Sequence, residues 1–291
     1  MNNDLLVIKQ LSKQFKLNSH KMIKALHNIS FSIHQGEILG LAGESGSGKS
    51  TLAKIIAGMY TPTTGKIYFN GQDLLSQNLS TQKYASLIQL IFQNVSASLN
   101  PQMTIQEIIG EPLKIHHQIH DKMILTKKIT NILLQTGLSP QFFNFYPDEL
   151  SGGQKQRLNI ARCLSVNPQL IIADEPVASL DLLIQAQILN LFLDLQQKHK
   201  FSMLFIAHDL ALLKFIAQRI GVMYKGHLVE LAPTNELFAN PQHEYTKNLI
   251  STICTTDPLY ERNKKITNFD PQTFSPKGLW IEISPNHFVL K

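Results

Sequence analysis

Gly43-Glu44-Ser45-Gly46-Ser47-Gly48-Lys49-Ser50, followed by Thr51, has the residue types and spacing to hold phosphate. Its glycines let the backbone curl until successive N–H groups converge, and a helix starting near Lys49 adds the positive end of its dipole. Lys49 supplies a point charge for the β- and γ-phosphates. The Ser50 hydroxyl is a hard oxygen donor suited to Mg²⁺, whose remaining ligands are then mostly water and phosphate. A glycine-rich loop that binds nothing is the rival reading, and the flanks argue against it. The apolar run Ile38-Leu39-Gly40-Leu41 enters the loop, and Leu52, Ile55, Ile56 and Met59 recur after it at helical spacing, which gives the strand–loop–helix context that a phosphate loop requires.

A second centre lies at Asp174-Glu175-Pro176, where the apolar run Leu170 to Ala173 ends abruptly in two acids. In a parallel sheet the C-terminal strand ends face the ligand crevice. Asp174 is therefore expected on the Mg²⁺ side of the phosphates. Glu175 is expected toward the γ-phosphate, to polarise or deprotonate an attacking water. Taken alone, these residues read as a solvated turn; beside a phosphate loop they read as a working carboxylate pair.

These groups need a frame. The alternation from Asn28 to Ile33 and the runs Ile38–Leu41, Leu87–Phe92, Leu170–Ala173, Ser202–Ile206 and Ile220–Tyr224 read as strands, with helical spacing at Ile184, Ile188, Leu191 and Leu195 between two of them. Such interleaving predicts α/β layers with a mostly parallel sheet. From about residue 94 to 168 the strand signals vanish. Helices are expected near 104–110, 122–136 and 152–165, separated by Gly137, Pro140 and Pro147, which predicts an inserted helical subdomain. The composition shifts again after about Ile253. Residues 1–258 are read as one domain and 259–291 as a C-terminal appendage, closing in a small hairpin from Trp280–Ile283 and His287–Leu290 around Pro285-Asn286.

At 291 residues, 43% hydrophobic and 16% charged, the chain can bury a core without cross-links and is not of disordered composition. No apolar run approaches the roughly 18–20 residues that cross a bilayer, and Met1-Asn2-Asn3-Asp4 lacks a basic leader, so a cytoplasmic protein is expected. Cys163 and Cys254 are too few and too far apart for a disulfide framework or a metal site, and read as reduced thiols. His116, His117 and His120 have no carboxylate or cysteine at matching spacing and read as a solvated helix face. The net charge of +6 is scattered rather than massed in a tract.

Leu150-Ser151-Gly152-Gly153-Gln154, placed between the phosphate loop and the acid pair, resembles the signature of ABC-transporter ATPases. The motif order agrees over about residues 5–253. Gln93 resembles the family's Q-loop, Ala178-Ser179-Leu180-Asp181 its D-loop, His208 its switch histidine, and Phe15 the aromatic that stacks on adenine. The resemblance implies a P-loop NTPase core, an N-terminal antiparallel β subdomain and the helical insertion. It implies ATP as substrate with Mg²⁺ as cofactor, Gln93 joining Ser50 and Asp174 near the metal, and His208 contacting the γ-phosphate. Ser151, the Gly152 and Gly153 amides and Gln154 start a helix and so form a second anion site that the chain's own loop does not need. In the family it closes on ATP held by the opposite subunit of a head-to-tail dimer, with Asp181 at the seam.

Three finer strings resemble the dipeptide/oligopeptide importer ATPases, especially their F-type subunit: Phe92 to Pro101, Ile184-Gln185-Ala186-Gln187, and Asn240 to Thr246. Asn94-Val95 replaces the usual Asp-Pro, Glu244 replaces a usual Pro, and Cys254 alone stands where many relatives carry a cluster-binding cysteine run, so no iron–sulfur cluster is expected. The implied partners are membrane permease subunits, an identical or sister ATPase and a solute-binding protein, at the cytoplasmic face of the inner membrane. Two alternatives stand beside this. One is a soluble ABC ATPase acting on nucleic acid or ribosomes, which the pI near 9.2 suits but which lacks the tandem modules, coiled coils or zinc motifs of those relatives. The other is an exporter ATPase, which uses the same motif residues.

Overall fold

The computed structural model describes residues 4–18, 21–74, 81–253, 267–276 and 278–291. Strands β1 (Asp4–Asn18) and β2 (Lys21–His34) pair antiparallel, and β3 (Ile38–Ala42) leads through the glycine-rich loop into helix α1 (Lys49–Ile56). The short strands β4 (Thr64–Phe69) and β5 (Gln72–Asp73) complete an antiparallel sheet of order β2-β1-β4-β5, the N-terminal β subdomain that the family resemblance implies. Because α1 ends at Ile56, Met59 lies beyond it and is exposed, although its spacing matched the buried face.

Helix α2 (Thr81–Leu87) then runs into β6 (Ile88–Ile91), and the helical insertion follows: α3 (Val95–Ser98), α4 (Ile105–His117), α5 (Lys122–Gln135) and α6 (Gly152–Leu164). Helix α4 outruns the expected 104–110 by a full seven residues, straight through Pro112. A proline inside a helix costs a hydrogen bond and about 3 kcal/mol or more. Here the apolar face Ile105, Ile108, Ile109 and Leu113 packs into the insertion's own core and holds the helix together across it. The helix starts are set locally, by a Thr104–Glu107 capping box and by Asp121 accepting from the Ile124 N–H.

The rest of the chain alternates: β7 (Leu170–Asp174), α7 (Leu182–His199), β8 (Ser202–Ile206), α8 (Leu210–Ile216), β9 (Arg219–Tyr224), β10 (His227–Pro233), α9 (Thr234–Ala239), α10 (Glu244–Ser251), β11 (Trp280–Ser284) and β12 (His287–Leu290). The main sheet has the order β11-β12-β10-β9-β3-β8-β7-β6, parallel from β9 to β6 and antiparallel beyond. Strands β3, β7 and β8 are buried along their whole length, the reason their sequences are unbroken apolar runs. Alternate residues serve the two faces. Leu39, Leu41, Ile172, Leu204 and Ile206 pack toward α1 and the first sheet, while Ile38, Ile171, Ala173, Met203 and Phe205 pack toward α7 and α8. Since β8 lies between β3 and β7, the ends of all three strands emerge side by side.

The expected C-terminal hairpin forms, and it belongs to the main sheet: Glu230 and Leu231 of β10 pair with Val289 and Phe288 of β12. The expected boundary near residue 258, and Cys254 with it, lie outside the described residues. Cys163 is fully buried on α6, and burial pushes its thiol up to about 11, so it stays a protonated thiol at neutral pH. Among the described residues no helix is long and apolar enough to cross a membrane.

Candidate functional site: a phosphate cradle and a carboxylate

Strand β3 delivers the chain to Gly43 at φ +146°, where a Cβ would stand 2.2 Å from the Met223 carbonyl oxygen, so only glycine fits between the loop and β9. Gly46 takes φ +79° with nothing within 4 Å of where its Cβ would be, on the open side of the loop. The buried Lys49 ammonium folds across the loop, donating to the Gly43 carbonyl at 2.6 Å and the Glu44 carbonyl at 2.9 Å. Burial lowers its pKa; the carboxylates of Glu175, Asp174 and Glu44 work in the other direction.

The Ser50 hydroxyl donates to Asp174 Oδ1 at 3.1 Å, bringing α1 and the end of β7 to one point. Burial raises the Asp174 carboxyl above its ordinary range, opposed by that hydrogen bond. Beyond Asp174 the chain turns sharply. Glu175 has φ +48°, unusual for a non-glycine residue, and its N–H donates to the Ile206 carbonyl at the end of β8. The turn aims the half-buried carboxylate at two groups: Gln93 Nε2 donates to Glu175 Oε2 at 3.0 Å, and His208 Nδ1 stands 3.6 Å from the same oxygen. Gln93 follows β6 and His208 follows β8, so four parallel strands deliver the site.

A cavity of about 290 Å³ is lined by Ala25, Ser45 to Thr51, Gln93, Glu175 and His208. The donor set fits a nucleotide phosphate: a glycine loop open on one side, a lysine, and a carboxylate opposite. Ser50 Oγ and Asp174 are hard oxygens of the kind Mg²⁺ takes, and that ion, when bound, would supply charge neutralisation on the phosphates.

Other expected residues lie apart from this cavity. Ser151 caps α6 through a reciprocal box with Gln154 and is exposed, as is Gly152. Gly153 is demanded by packing, since a Cβ there would meet Ile184 Cγ2 at 2.8 Å. Asp181 caps α7, accepting from the Ile184 N–H at 3.0 Å. Phe15 lies on β1, edge-on to Tyr60 at 5.5 Å between ring centres, with the Lys13 ammonium over its ring. His116 and His117 end α4, and His120 lies in the loop that follows it.

Sequence reasoning missed Ala25, which lines the cavity from β2, and Tyr245, whose buried hydroxyl accepts from the Glu44 N–H at 3.1 Å. Ala25 offers no chemistry for a sequence reading to notice. Tyr245 carried a signal, because it sits in the Asn240–Thr246 string that resembled the importer group, but nothing in that string tied it to the loop.

An α/β core with a phosphate loop after its first parallel strand, an acid pair two strands away and a helical insertion bearing Ser-Gly-Gly at a helix start is an ATP-binding cassette. The chain belongs to the ABC transporter family, which it matches over residues 26–178. It is 45% identical to the oligopeptide transport ATP-binding protein OppF of Bacillus subtilis over all of this chain and 97% of that one. It is 46% identical to the OppF protein of Salmonella typhimurium over 91% of this chain and 79% of that one. Among solved structures it resembles the dimeric bacterial ABC transporter cassette MJ0796, with a TM-score of 0.72 and 29% identity over 79% of this chain and 98% of that one. A second structure of that cassette, in a post-hydrolysis state with ADP and phosphate, matches equally well.

Proposed function

We propose that this chain is the ATP-binding and ATP-hydrolysing subunit of an ABC transporter that takes up peptides or related small solutes. It works at the cytoplasmic face of the cell membrane with separate permease subunits, a second ATPase subunit and a solute-binding protein. The observation that carries the reading is the convergence of Lys49, Ser50, Glu175, Gln93 and His208 on one cavity, with Asp174 hydrogen-bonded to Ser50 beside it. The names of the relatives support peptide transport over a nucleic-acid role.

In this reading the loop amides and Lys49 hold the β- and γ-phosphates, and Ser50 and Asp174 hold Mg²⁺. Glu175 takes the proton of the attacking water, oriented by Gln93 and His208. The remaining nucleotide contacts come from Phe15 under the adenine and from Ser151 to Gln154 of the opposite subunit, with Asp181 at the seam. That Ser151 and Gly152 are exposed, and that no residue from Ser151 to Gln154 lines the cavity, supports a site completed by a second molecule. ATP held between two subunits draws them together, and hydrolysis releases them.

The test is ATPase activity and ATP-dependent dimerisation of the purified chain. Glu175→Gln lowers turnover by about 100-fold or more and accumulates a dimer with ATP, while Lys49→Ala loses nucleotide binding. Wild-type turnover in either variant contradicts the assignment, and stimulation by DNA or RNA without any co-purifying permease would favour the nucleic-acid reading.

A further inference from the structure

One fully buried carboxyl–imidazole pair has no part in the chemistry above. Glu230 on β10 and His287 on β12 are both 0% exposed, with His287 Nε2 at 2.7 Å from Glu230 Oε1. The same carboxylate accepts the backbone N–H of Gln242 at 2.8 Å and of His243 at 2.9 Å, the two residues that lead into α10. A carboxylate buried this deeply is tolerated only when its oxygens are satisfied. Its three donors fix two different segments: His287 the closing hairpin, and the Gln242 and His243 amides the start of α10.

Helix α10 carries Tyr245 in its first turn, its N–H held by His243 Nδ1 at 3.1 Å. The ring is 1% exposed and lies 4.4 Å from Tyr224 and 5.4 Å from Phe269 between centres, so it has one orientation. Its hydroxyl accepts the Glu44 N–H, and the carbonyl of the same Gly43–Glu44 peptide unit accepts Lys49 Nζ. That peptide plane is thus pinned from both edges, by a phenol on one and by the phosphate-binding ammonium on the other. We infer that Tyr245 is a positioning residue for the phosphate loop: it fixes the Gly43–Glu44 peptide plane, and through it the resting place of Lys49, from a site outside the cavity. The His287–Glu230 pair sets where Tyr245 stands, which makes the C-terminal hairpin a structural part of the nucleotide site.

The inference rests on the phosphate loop's being the nucleotide site, and the experiment separates the two. ATPase kinetics, binding of a fluorescent N-methylanthraniloyl ATP and thermal melting are measured on the full chain for wild type, Tyr245→Phe, His287→Leu and His287→Gln. Tyr245→Phe keeps the ring and removes the acceptor. It raises KM for MgATP about three- to ten-fold, the range one neutral hydrogen bond commands, with kcat changed less than about two-fold. His287→Leu gives the same split, and His287→Gln, whose amide can still donate to Glu230, restores it. An unchanged KM in a folded Tyr245→Phe, with nucleotide bound by the wild type, overturns the inference alone. An unchanged KM in His287→Leu overturns the role of the hairpin. A folded wild type that binds no nucleotide overturns the phosphate-loop reading and this one with it.

Discussion

Glu175 combines the site's central carboxylate with its least comfortable backbone. The left-handed conformation costs a non-glycine residue about 1–2 kcal/mol, and what it achieves is the aim of the carboxylate at Gln93 and His208. Glu175→Gly relieves that strain and the repulsion from Asp174, so the variant is expected to gain about 1 kcal/mol in stability while losing ATP turnover. A melting temperature below wild type would contradict this. A second residue-scale effect concerns His27 and His227, whose rings stack at 4.2 Å beside the turn that contacts the phosphate loop. Burial, with the charges of His27 and Lys24, pushes His227 down to about 4. The unfolded chain takes up this proton near pH 6.5 and the native chain only near 4, so between those values unfolding is favoured by protonation. Stability therefore falls as pH drops from 7 to 5. Melting curves should show that fall in wild type and a shallower one in His227→Gln; equal slopes refute the assignment.

Helices α6 and α7 meet at a contact that only glycine permits. Sequence reasoning valued Gly153 for its amide at a helix start, and the structure adds the reason that a side chain is excluded: Ile184 occupies the space. Gly153→Ala gains helix propensity but overpacks the contact, and a net loss of about 1–2 kcal/mol is expected in chemical denaturation. Ile184→Val does not help, because it keeps the Cγ2 methyl, whereas Ile184→Ala in the double variant recovers most of the loss. Failure of that rescue would place the cost elsewhere. Helix α4 teaches a related lesson. Gly110 and Pro112 are strong local stop signals, yet Leu113 is buried in the insertion's core and the helix runs on to His117. Local chemistry sets the start of this helix, through the Thr104–Glu107 capping box that the structure shows, and tertiary packing decided its end.

At the scale of the molecule, the glycine loop lines the cavity, while the helix start at Ser151 lies exposed outside it. In the proposed head-to-tail assembly the two meet across subunits. In a Glu175→Gln background, Ser151→Arg puts bulk and charge at that seam and is expected to abolish the ATP-dependent dimer seen by light scattering, while the single chain's nucleotide affinity changes less than about two-fold, as for an independent distant site. A dimer that survives would remove Ser151 from the interface.

The phosphate loop, the acid pair and the interleaved strands were legible from the sequence because each depends on neighbours in the chain: glycine spacing, an apolar run ending in carboxylates, a period of two or of 3.6. The resemblance to ABC ATPases supplied Gln93 and His208, whose residue types alone say nothing of a shared target. What only the tertiary structure decided are the meetings between distant segments: Gln93 and His208 on one carboxylate oxygen, Ala25 in the cavity wall, Tyr245 behind the loop, and a terminal hairpin locked to Glu230. Those contacts span up to 201 positions. They depend on which strands the sheet sets side by side, and no local pattern of residues encodes that order.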